Sequence, residues 1–467
     1  AVVIEGVASE PVTISIRNDE VTLLPAAGLW GKGNFAAVAQ LRQEYPGQAL
    51  ITIGPAGEKG LKAAGVFVTT PDYFLRAAAR GGLGTVLGTK KVKAIVIDSD
   101  GPGVSVAEPE QFKAVTRELT ATIVNHPLSA GLKAFGTPLL IGLMNQMGGL
   151  ATRNFSRGTF AGAEKIGGEA FAKVLGERKN AHAAHGCMRG CVVQCSQVYT
   201  NPEGEVITSG LEFETVGLAG SNCEIDDLDA IARFDQVCDD VGLDTIDVAC
   251  AIGVAMEAGR IPWGDSEKLV SVVESIRTDD PLGLLIGNGC AETGKALGVA
   301  RTPVVKGQAL SAYDPRILKG TGVTYATATM GADHTCGNAI PNPSIPDYDA
   351  GSPQGQHEMS GFLQSWFAAI DSLGLCLFAS LPLLDNPPDS FQKLADLVGA
   401  KLGEKLTPDY IMGMGRGVCL QERKFNELAG FGPADDRLPS FFRQELLLKG
   451  GSVFDVSDED LDRVYGD

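Results

Sequence analysis

The chain has 467 residues, 44 % of them hydrophobic and 21 % charged, with a formal net charge of −18. That length exceeds a single hydrophobic core and calls for two to four domains. The acidic balance leaves no basic excess to neutralise phosphates, which excludes nucleic acid as a partner.

The opening hundred residues read as strand-rich α/β. "AVVIEGV", "VTISIRN", "EVTLLPA", "ALITIGP" and "VKAIVIDS" are short runs rich in Val and Ile, bounded by Gly, Pro and Asn-Asp. The first run reads as mature strand-forming sequence rather than a signal peptide. Beyond residue 105 the texture becomes helical. "DLDAIARFDQVCDDV" repeats apolar residues at Leu228, Ile231, Phe234 and Val237, and "TIDVACAIGVAMEAG" and "DSEKLVSVVESIRT" follow it. Residues 300–350 are rich in Pro and Gly and read as irregular. Helices resume near 360–380 and 390–403, and the acidic tail "DVSDEDLDRVYGD" reads as a solvated helix or frayed end. The expected fold class is α+β: a β-rich N-terminal region at 1–105, a helical domain at 106–300 and a second at 301–467. No apolar run reaches the roughly 18–20 residues of a membrane span. "TPLLIGLMNQMGGL" comes nearest, broken by Asn, Gln and Gly.

Two places carry chemistry. "HGCMRGCVVQCSQV" spaces Cys187, Cys191 and Cys195 four apart, with Gly186 and Gly190 favouring a turning loop over a helix. With ten cysteines and no secretory signal, a reducing cytoplasm is expected, where clustered thiols read as metal ligands. An Fe–S cluster, a zinc site and plain core cysteines all remain open on spacing, and three clustered thiols with one remote one suit a cubane. The second feature is a recurring turn. "DDVGLD" (239–244) and "DSLGLC" (371–376) share Asp-x-x-Gly-Leu-(Asp/Cys), each after a helical run. Gly242 and Gly374 suit the left-handed residue that ends a helix, and Asp244 suits the cap of the next. Of the other cysteines, only Cys376 ends such a turn.

"RGGLGTVLGTKKVKAI", "TRNFSRGTF", the cysteine cluster, "LEFETVGLAGSNCEIDDLDAIARFDQVCDDVGLDTI", "YATATMGADH" and "DSLGLC" occur in this order along nearly the whole chain. In that order the chain resembles the tungsten-dependent aldehyde:ferredoxin oxidoreductase family. The resemblance implies a bis-pterin tungsten or molybdenum centre and a [4Fe–4S] cluster ligated by Cys187, Cys191, Cys195 and Cys376. It implies pterin contacts from Asp239, Gly242, Leu243 and Asp244, from Asp371, Gly374 and Leu375, and from Arg80 and Gly81. Carboxylates would accept from the pterin ring edge, and the Arg with the glycine amides would meet phosphates. It implies a catalytic Glu from "LEFET", either Glu212 or Glu214, which on a strand would point the same way, and His334 as the active-site histidine.

The implied reaction is oxidation of an aldehyde to its carboxylic acid, with electrons leaving through the cluster to ferredoxin or a small Fe–S subunit; a homodimer is compatible with it. The alternatives are another two-electron reaction at the same centre, or a non-catalytic Fe–S or zinc scaffold subunit. Two departures stand out. The thiol spacing is Cys-x3-Cys-x3-Cys, one residue longer than in the best-known members. The chain also reads as lacking about a hundred N-terminal residues that normally hold part of the cofactor-binding sheet and an Arg between pterin and cluster, either truncated or supplied by another chain.

Overall fold

The computed structural model describes residues 2–98, 101, 103–341 and 349–466. Its N-terminal part is a mixed six-stranded sheet ordered β2-β1-β6-β3-β4-β5. The strands are β1 (Val12–Arg17), β2 (Glu20–Pro25), β3 (Ala49–Thr52), β4 (Val66–Thr69), β5 (Leu75–Ala78) and β6 (Val92–Asp98). Only the β1–β6 pair is parallel; the other neighbours run antiparallel. Alternation along β6 sorts the two faces. Ala94 and Val96 join the core under helix α1 (Asn34–Glu44), whereas Ile95 and Ile97 pack with Leu87 of helix α2 (Leu83–Thr89).

Four of the five expected strand runs are strands. Residues 2–7 are not, and Ala1 and Ser99, at the ends of two of the runs, lie outside the described residues. β4 and β5 were not foreseen. β5 reads "LRAA" and owes its strand state to pairing with β4 rather than to its own alternation.

Three helices, α3 (Pro109–Asn125), α4 (Pro127–Phe135) and α5 (Leu139–Met147), follow the sheet. A small three-stranded sheet of β7 (His182–His185), β8 (Ser196–Thr200) and β9 (Val206–Ser209) carries the cysteine loop between its first two strands. The centre of the molecule is the pair α6 (Leu228–Val241) and α7 (Thr245–Glu257). α7 is apolar around almost its whole circumference and buries every residue from Ile246 to Met256, as a central core helix must.

In the "irregular" 300–350 stretch the structure forms helix α8 (Lys319–Thr327), whose nine residues are all buried. Gly320, Gly322 and several Thr give it poor intrinsic propensity, so tertiary burial makes this helix. Residues 342–348 of the stretch lie outside the described set. A second core joins α9 (Gln356–Ser372), α10 (Pro387–Leu402) and α11 (Pro408–Leu428), with Trp366 stacked on Phe391 at 4.2 Å. α9 and α11 cross closely at Gly415, where a methyl group would lie 1.8 Å from the Ser365 carbonyl.

The acidic tail is not frayed. Phe454, Val456, Leu461 and Val464 are buried in the main core, because the acids of the helix Asp458–Arg463 face outward and leave one apolar side; Asp467 lies outside the described residues. No single helix among the described residues is long and apolar enough to cross a membrane.

The sheet and the helical core meet at the turn after α6. Gly242 has φ 89° and donates its N–H to the Cys238 carbonyl. Its own carbonyl accepts from the Gly65 N–H at 3.0 Å, and the Asp244 N–H donates to the Ala63 carbonyl at 2.9 Å. A Cβ at Gly242 would stand 2.6 Å from the Gly54 nitrogen. Gly242→Ala therefore combines left-handed strain with a backbone clash and is expected to cost about 2 kcal/mol or more of stability, read from urea unfolding midpoints. An unchanged midpoint would mean that this turn is not seated on the 54–65 segment.

Candidate functional site

The cysteine loop turns as its glycines imply, with Gly190 at φ 77° and no helix across 186–195. Cys376 reaches it from the far domain, at the N-terminus of the short helix Leu377–Ser380. Burial pushes up the Cys187 and Cys195 thiols, and the neighbouring sulfurs add to it: Cys187 is raised by Cys191 and Cys376, Cys195 by Cys376, Cys187 and Cys191. Four thiols from two distant segments thus share one electrostatic neighbourhood. Deprotonation is costly there without a cation to share the charge, as expected of ligands to a metal cluster. Among the described residues no three His, Cys, Asp or Glu side chains close around a single ion.

Beside the thiols stands Arg76 of β5, which sequence reasoning missed. Its guanidinium donates to the Ser209 carbonyl, the Ser196 hydroxyl and the Ser209 hydroxyl, the last at 3.1 Å. Its charge also lowers the proton affinity of Cys187, Glu212, Asp235 and Asp239. One guanidinium therefore sits between the cysteine loop and the first Asp-x-x-Gly-Leu turn. No strand periodicity marked it; only its place four residues before Arg80 could have drawn notice.

The two turns form as helix ends. Gly374 takes φ 69°, the Leu243 N–H returns to the Cys238 carbonyl at 2.9 Å, and the Leu375 N–H to Ile370 at 3.0 Å. Asp244 caps α7 through the Ile246 N–H. The leading acids, Asp239 and Asp371, have no side-chain hydrogen bond among the described residues, and burial raises both, Asp235 adding to the first and Asp333 to the second. Asp239 is half-buried and Asp371 exposed, so both carboxyls are within reach of a ligand that brings N–H groups.

Arg80 does not face open space. Its guanidinium meets Asp244 at 3.4 Å, the Ala332 carbonyl at 3.0 Å and the Ala309 carbonyl. Gly81 and Gly82, not Arg80, line the adjoining cavity of about 330 Å³, together with Asp244, Lys62 and Lys306.

The two glutamates do not lie on a strand. Glu212 is extended, and Phe213–Thr215 begins a helical turn whose first N–H is taken by the Thr137 hydroxyl at 2.7 Å. The side chains therefore diverge. Glu212 accepts from the Thr137 hydroxyl at 2.6 Å and lies on the side of Cys195 and Arg76. Burial pushes its carboxyl up to about 7. Glu214 turns to a second cavity, of about 830 Å³, and its Oε1 lies 2.8 Å from His334 Nε2. Burial would raise Glu214 too, but the charge and hydrogen bond of His334, with a hydrogen bond from Tyr313, hold it below its ordinary value.

Tyr313, also missed, is buried beside the His334 ring with centroids 5.8 Å apart and bonds to Asn338 as well. Among the described residues His334 Nδ1 is buried and makes no hydrogen bond, its carboxylate neighbour Asp333 lying 3.9 Å away, and the side chain lines the cavity. Asp371 of the second turn lines the same cavity.

Because folded Glu212 holds its proton more tightly than an ordinary carboxyl near 4.5, its contribution to stability is greatest below that pH. It falls as pH rises toward about 7 and levels off above. Glu212→Gln should remove this loss and raise stability at pH 8 relative to pH 4.5 by roughly 2 kcal/mol in urea titrations. An unaltered pH slope would contradict the buried environment described for Glu212.

Residues 1–99 match the family described as aldehyde ferredoxin oxidoreductase, N-terminal domain, and residues 114–466 match aldehyde ferredoxin oxidoreductase, domains 2 and 3. The first match corrects the expectation of a missing N-terminal region, since the family's N-terminal domain is recognised from the first residue. Tungsten-containing aldehyde ferredoxin oxidoreductases of Pyrococcus furiosus and Thermococcus kodakarensis are each 33 % identical, over 96 % of this chain and 75 % of theirs. The aliphatic sulfonate oxidoreductase, WOR-like subunit, of Pyrococcus furiosus is 23 % identical over 87 % of this chain and 66 % of its own. Among solved structures, the active-site complex BamBC of benzoyl coenzyme A reductase with 1,5-dienoyl-CoA superposes with a TM-score of 0.74. It covers 93 % of this chain and 74 % of that one at 19 % identity, a likeness of fold.

Proposed function

Since the chain belongs to the aldehyde ferredoxin oxidoreductase family, we propose that it oxidises an aldehyde to the carboxylic acid at the Glu214–His334 end of the larger cavity. The observation that carries this reading is the 2.8 Å Glu214–His334 pair, facing a cavity that also receives Asp371 of the second turn.

The residues fit the family's cofactors. Cys187, Cys191, Cys195 and Cys376 would hold a [4Fe–4S] cluster. Asp239 and Asp371 would accept from two pterins, with Asp244, Gly242, Leu243, Gly374 and Leu375 shaping the backbone around them. Gly81 and Gly82, with Lys62 and Lys306 at the same cavity, suit phosphates; Arg80 braces the first turn through Asp244. When bound, the pterin tungsten or molybdenum supplies Lewis acidity and takes two electrons, which the cluster passes on singly to a ferredoxin-type carrier.

The chain's own groups do the proton chemistry. Aldehyde and water give acid, two protons and two electrons. Glu214, held ionised beside His334 and Tyr313, takes a proton from the attacking water. His334 Nε2, 2.8 Å from Glu214 Oε1, donates to the carboxylate and orients it for this step. Tyr313, itself bonded to Asn338, holds Glu214 in place. Glu212, close to its midpoint at neutral pH and on the cluster side, is not the base facing substrate. The three regions 1–105, 106–300 and 301–467 divide the work: the first and second meet at the first turn, and the third brings His334, Asp371 and Cys376. A non-catalytic scaffold is not favoured, because it has no use for an ionised Glu–His pair in an accessible cavity.

Protein purified without oxygen is expected to contain about four irons and close to one tungsten or molybdenum per chain. Glu214→Gln should lower turnover by about 100-fold or more at unchanged metal content. Normal turnover in that variant would remove Glu214 from the mechanism, and Cys376→Ser retaining full iron would remove Cys376 from the cluster.

A further inference from the structure

Helix α8 carries three threonines on one side, Thr321, Thr324 and Thr327, three residues apart. A buried helical threonine commonly returns its hydroxyl to the carbonyl four residues earlier, and Thr327 does so, donating to the Val323 carbonyl at 2.8 Å. The other two turn to the loop that carries His334. Thr324 donates to the Gly337 carbonyl at 2.7 Å, nearer than the Gly320 carbonyl of its own helix at 3.3 Å. Thr321, which has no exposed surface, accepts the Ala339 N–H at 3.1 Å and donates to Asn338 Oδ1 at 2.8 Å. Residues that weaken α8 as a helix are thus the ones that hold the 334–339 loop.

These contacts have a direction. An N–H can only donate, so Ala339 makes Thr321 Oγ1 an acceptor and leaves the hydroxyl proton for Asn338. With Oδ1 taken, the Asn338 amide presents its NH2 to Tyr313, whose oxygen accepts, and the Tyr313 O–H is left for Glu214. The Tyr313 ring is buried, its centroid 4.7 Å from that of Phe213 and 5.8 Å from that of His334, so rotation of its O–H is the freedom that remains. An amide turned the other way would draw that proton to Oδ1 and take a donor from Glu214. Glu214 is also faced by His334, with Asp333 3.9 Å from the ring, by Glu212 of its own segment and by Tyr325 of α8. None of these bonds to Thr321 among the described residues.

Resting on the reading of Glu214 as the base, we propose that Thr321 is a positioning residue for the reaction: it fixes the direction of the chain Thr321–Asn338–Tyr313–Glu214, so that Tyr313 donates to the base rather than to Asn338. Thr321 lines neither cavity and acts only through the two side chains between. A carboxylate that loses a donor holds its proton more tightly. Loss of the Thr321 hydroxyl therefore makes Glu214 ionise at higher pH, while the walls that receive substrate stay as they are.

The test uses the metal-loaded enzyme with Thr321→Val, which keeps the shape of the side chain and removes its hydroxyl, and Thr321→Ser, which keeps the hydroxyl. Two midpoints are read. One is the acid limb of the kcat/KM–pH profile for benzaldehyde with a viologen dye as acceptor. The other is the titration of Glu214 itself, from the carboxyl infrared band that Glu214→Gln lacks. Thr321→Val should move both up by about half a pH unit or more and lower kcat about fivefold or more, with KM within about twofold. Thr321→Ser should restore them. In a Tyr313→Phe background Thr321→Val should move neither midpoint further, because the donor is already gone. An unmoved Glu214 titration in folded Thr321→Val, a serine variant that does not restore it, or a full further shift in the Tyr313→Phe background overturns the inference. Should Thr321→Val not fold, Asn338→Leu, at a half-buried position, removes the middle of the chain, and its infrared titration carries the same expectation and the same refutation. An infrared shift without turnover of any aldehyde leaves the hydrogen-bond chain standing and removes the reaction reading. Turnover that depends on Glu214 and ignores Thr321 does the reverse.

Discussion

The structure depends on the seating of one helix end. The turn after α6 lies directly on the 54–65 segment of the N-terminal sheet region, with the Gly242 carbonyl taking the Gly65 N–H and the Asp244 N–H given to Ala63. The backbones approach so closely that neither Gly54 nor Gly242 has room for a Cβ: at Gly54 it would lie 2.1 Å from the Val241 carbonyl. No side chain separates sheet from core at this point, so the sheet's position follows the turn to within a hydrogen bond's tolerance. Arg80 locks the same joint through Asp244 and through the carbonyls of residues 309 and 332, drawing in the third region.

From that joint the charges of the site take their places. β5 sits at the sheet edge, and its Arg76 reaches the Ser209 carbonyl while facing Glu212, Asp235, Asp239 and Cys187. Buried acids at this density are costly without a cation, and one planar guanidinium serves several of them. The two glutamates of "LEFET" then separate in character through surroundings alone. Glu212 is desolvated against Thr137 and is pushed up to about 7, whereas Glu214 faces His334 and is held down. Two carboxyls two residues apart thereby differ in proton affinity, and on the proposed reading the second is the base.

The larger cavity has a polar end at Glu214 and His334 and an apolar remainder. Glu214 comes from the helical turn Phe213–Thr215 and His334 from an irregular segment. Its wall comes largely from the helices α4 and α5, where Leu132 is buried, Leu128 and Leu140 are half-buried and Leu143 is exposed. The π-turn at Val216–Gly220, which begins two residues after Glu214, keeps all five of its residues buried and carries the chain from the cavity back into the core.

How much of this the sequence disclosed varies residue by residue. Both Asp-x-x-Gly-Leu turns, the turning cysteine loop, helices α6 and α7 and four strands follow from local rules: a left-handed glycine ends a helix, apolar residues recur every three to four, and Val/Ile runs pair. The cysteine set and the Glu–His pair were legible as residue types and by resemblance. Tertiary contact decided the rest. α8 is helical only because every residue of it is buried, β5 is a strand only because β4 lies beside it, and the tail is ordered by Leu461 and Val464 entering the core. Glu212 and Glu214 looked like equivalent strand carboxylates, and a Thr137 hydroxyl 76 positions away turned one of them from the other. Local sequence determines which groups a segment carries and where its helices end; which group meets which, and in what dielectric, is set by contacts between segments far apart in the chain.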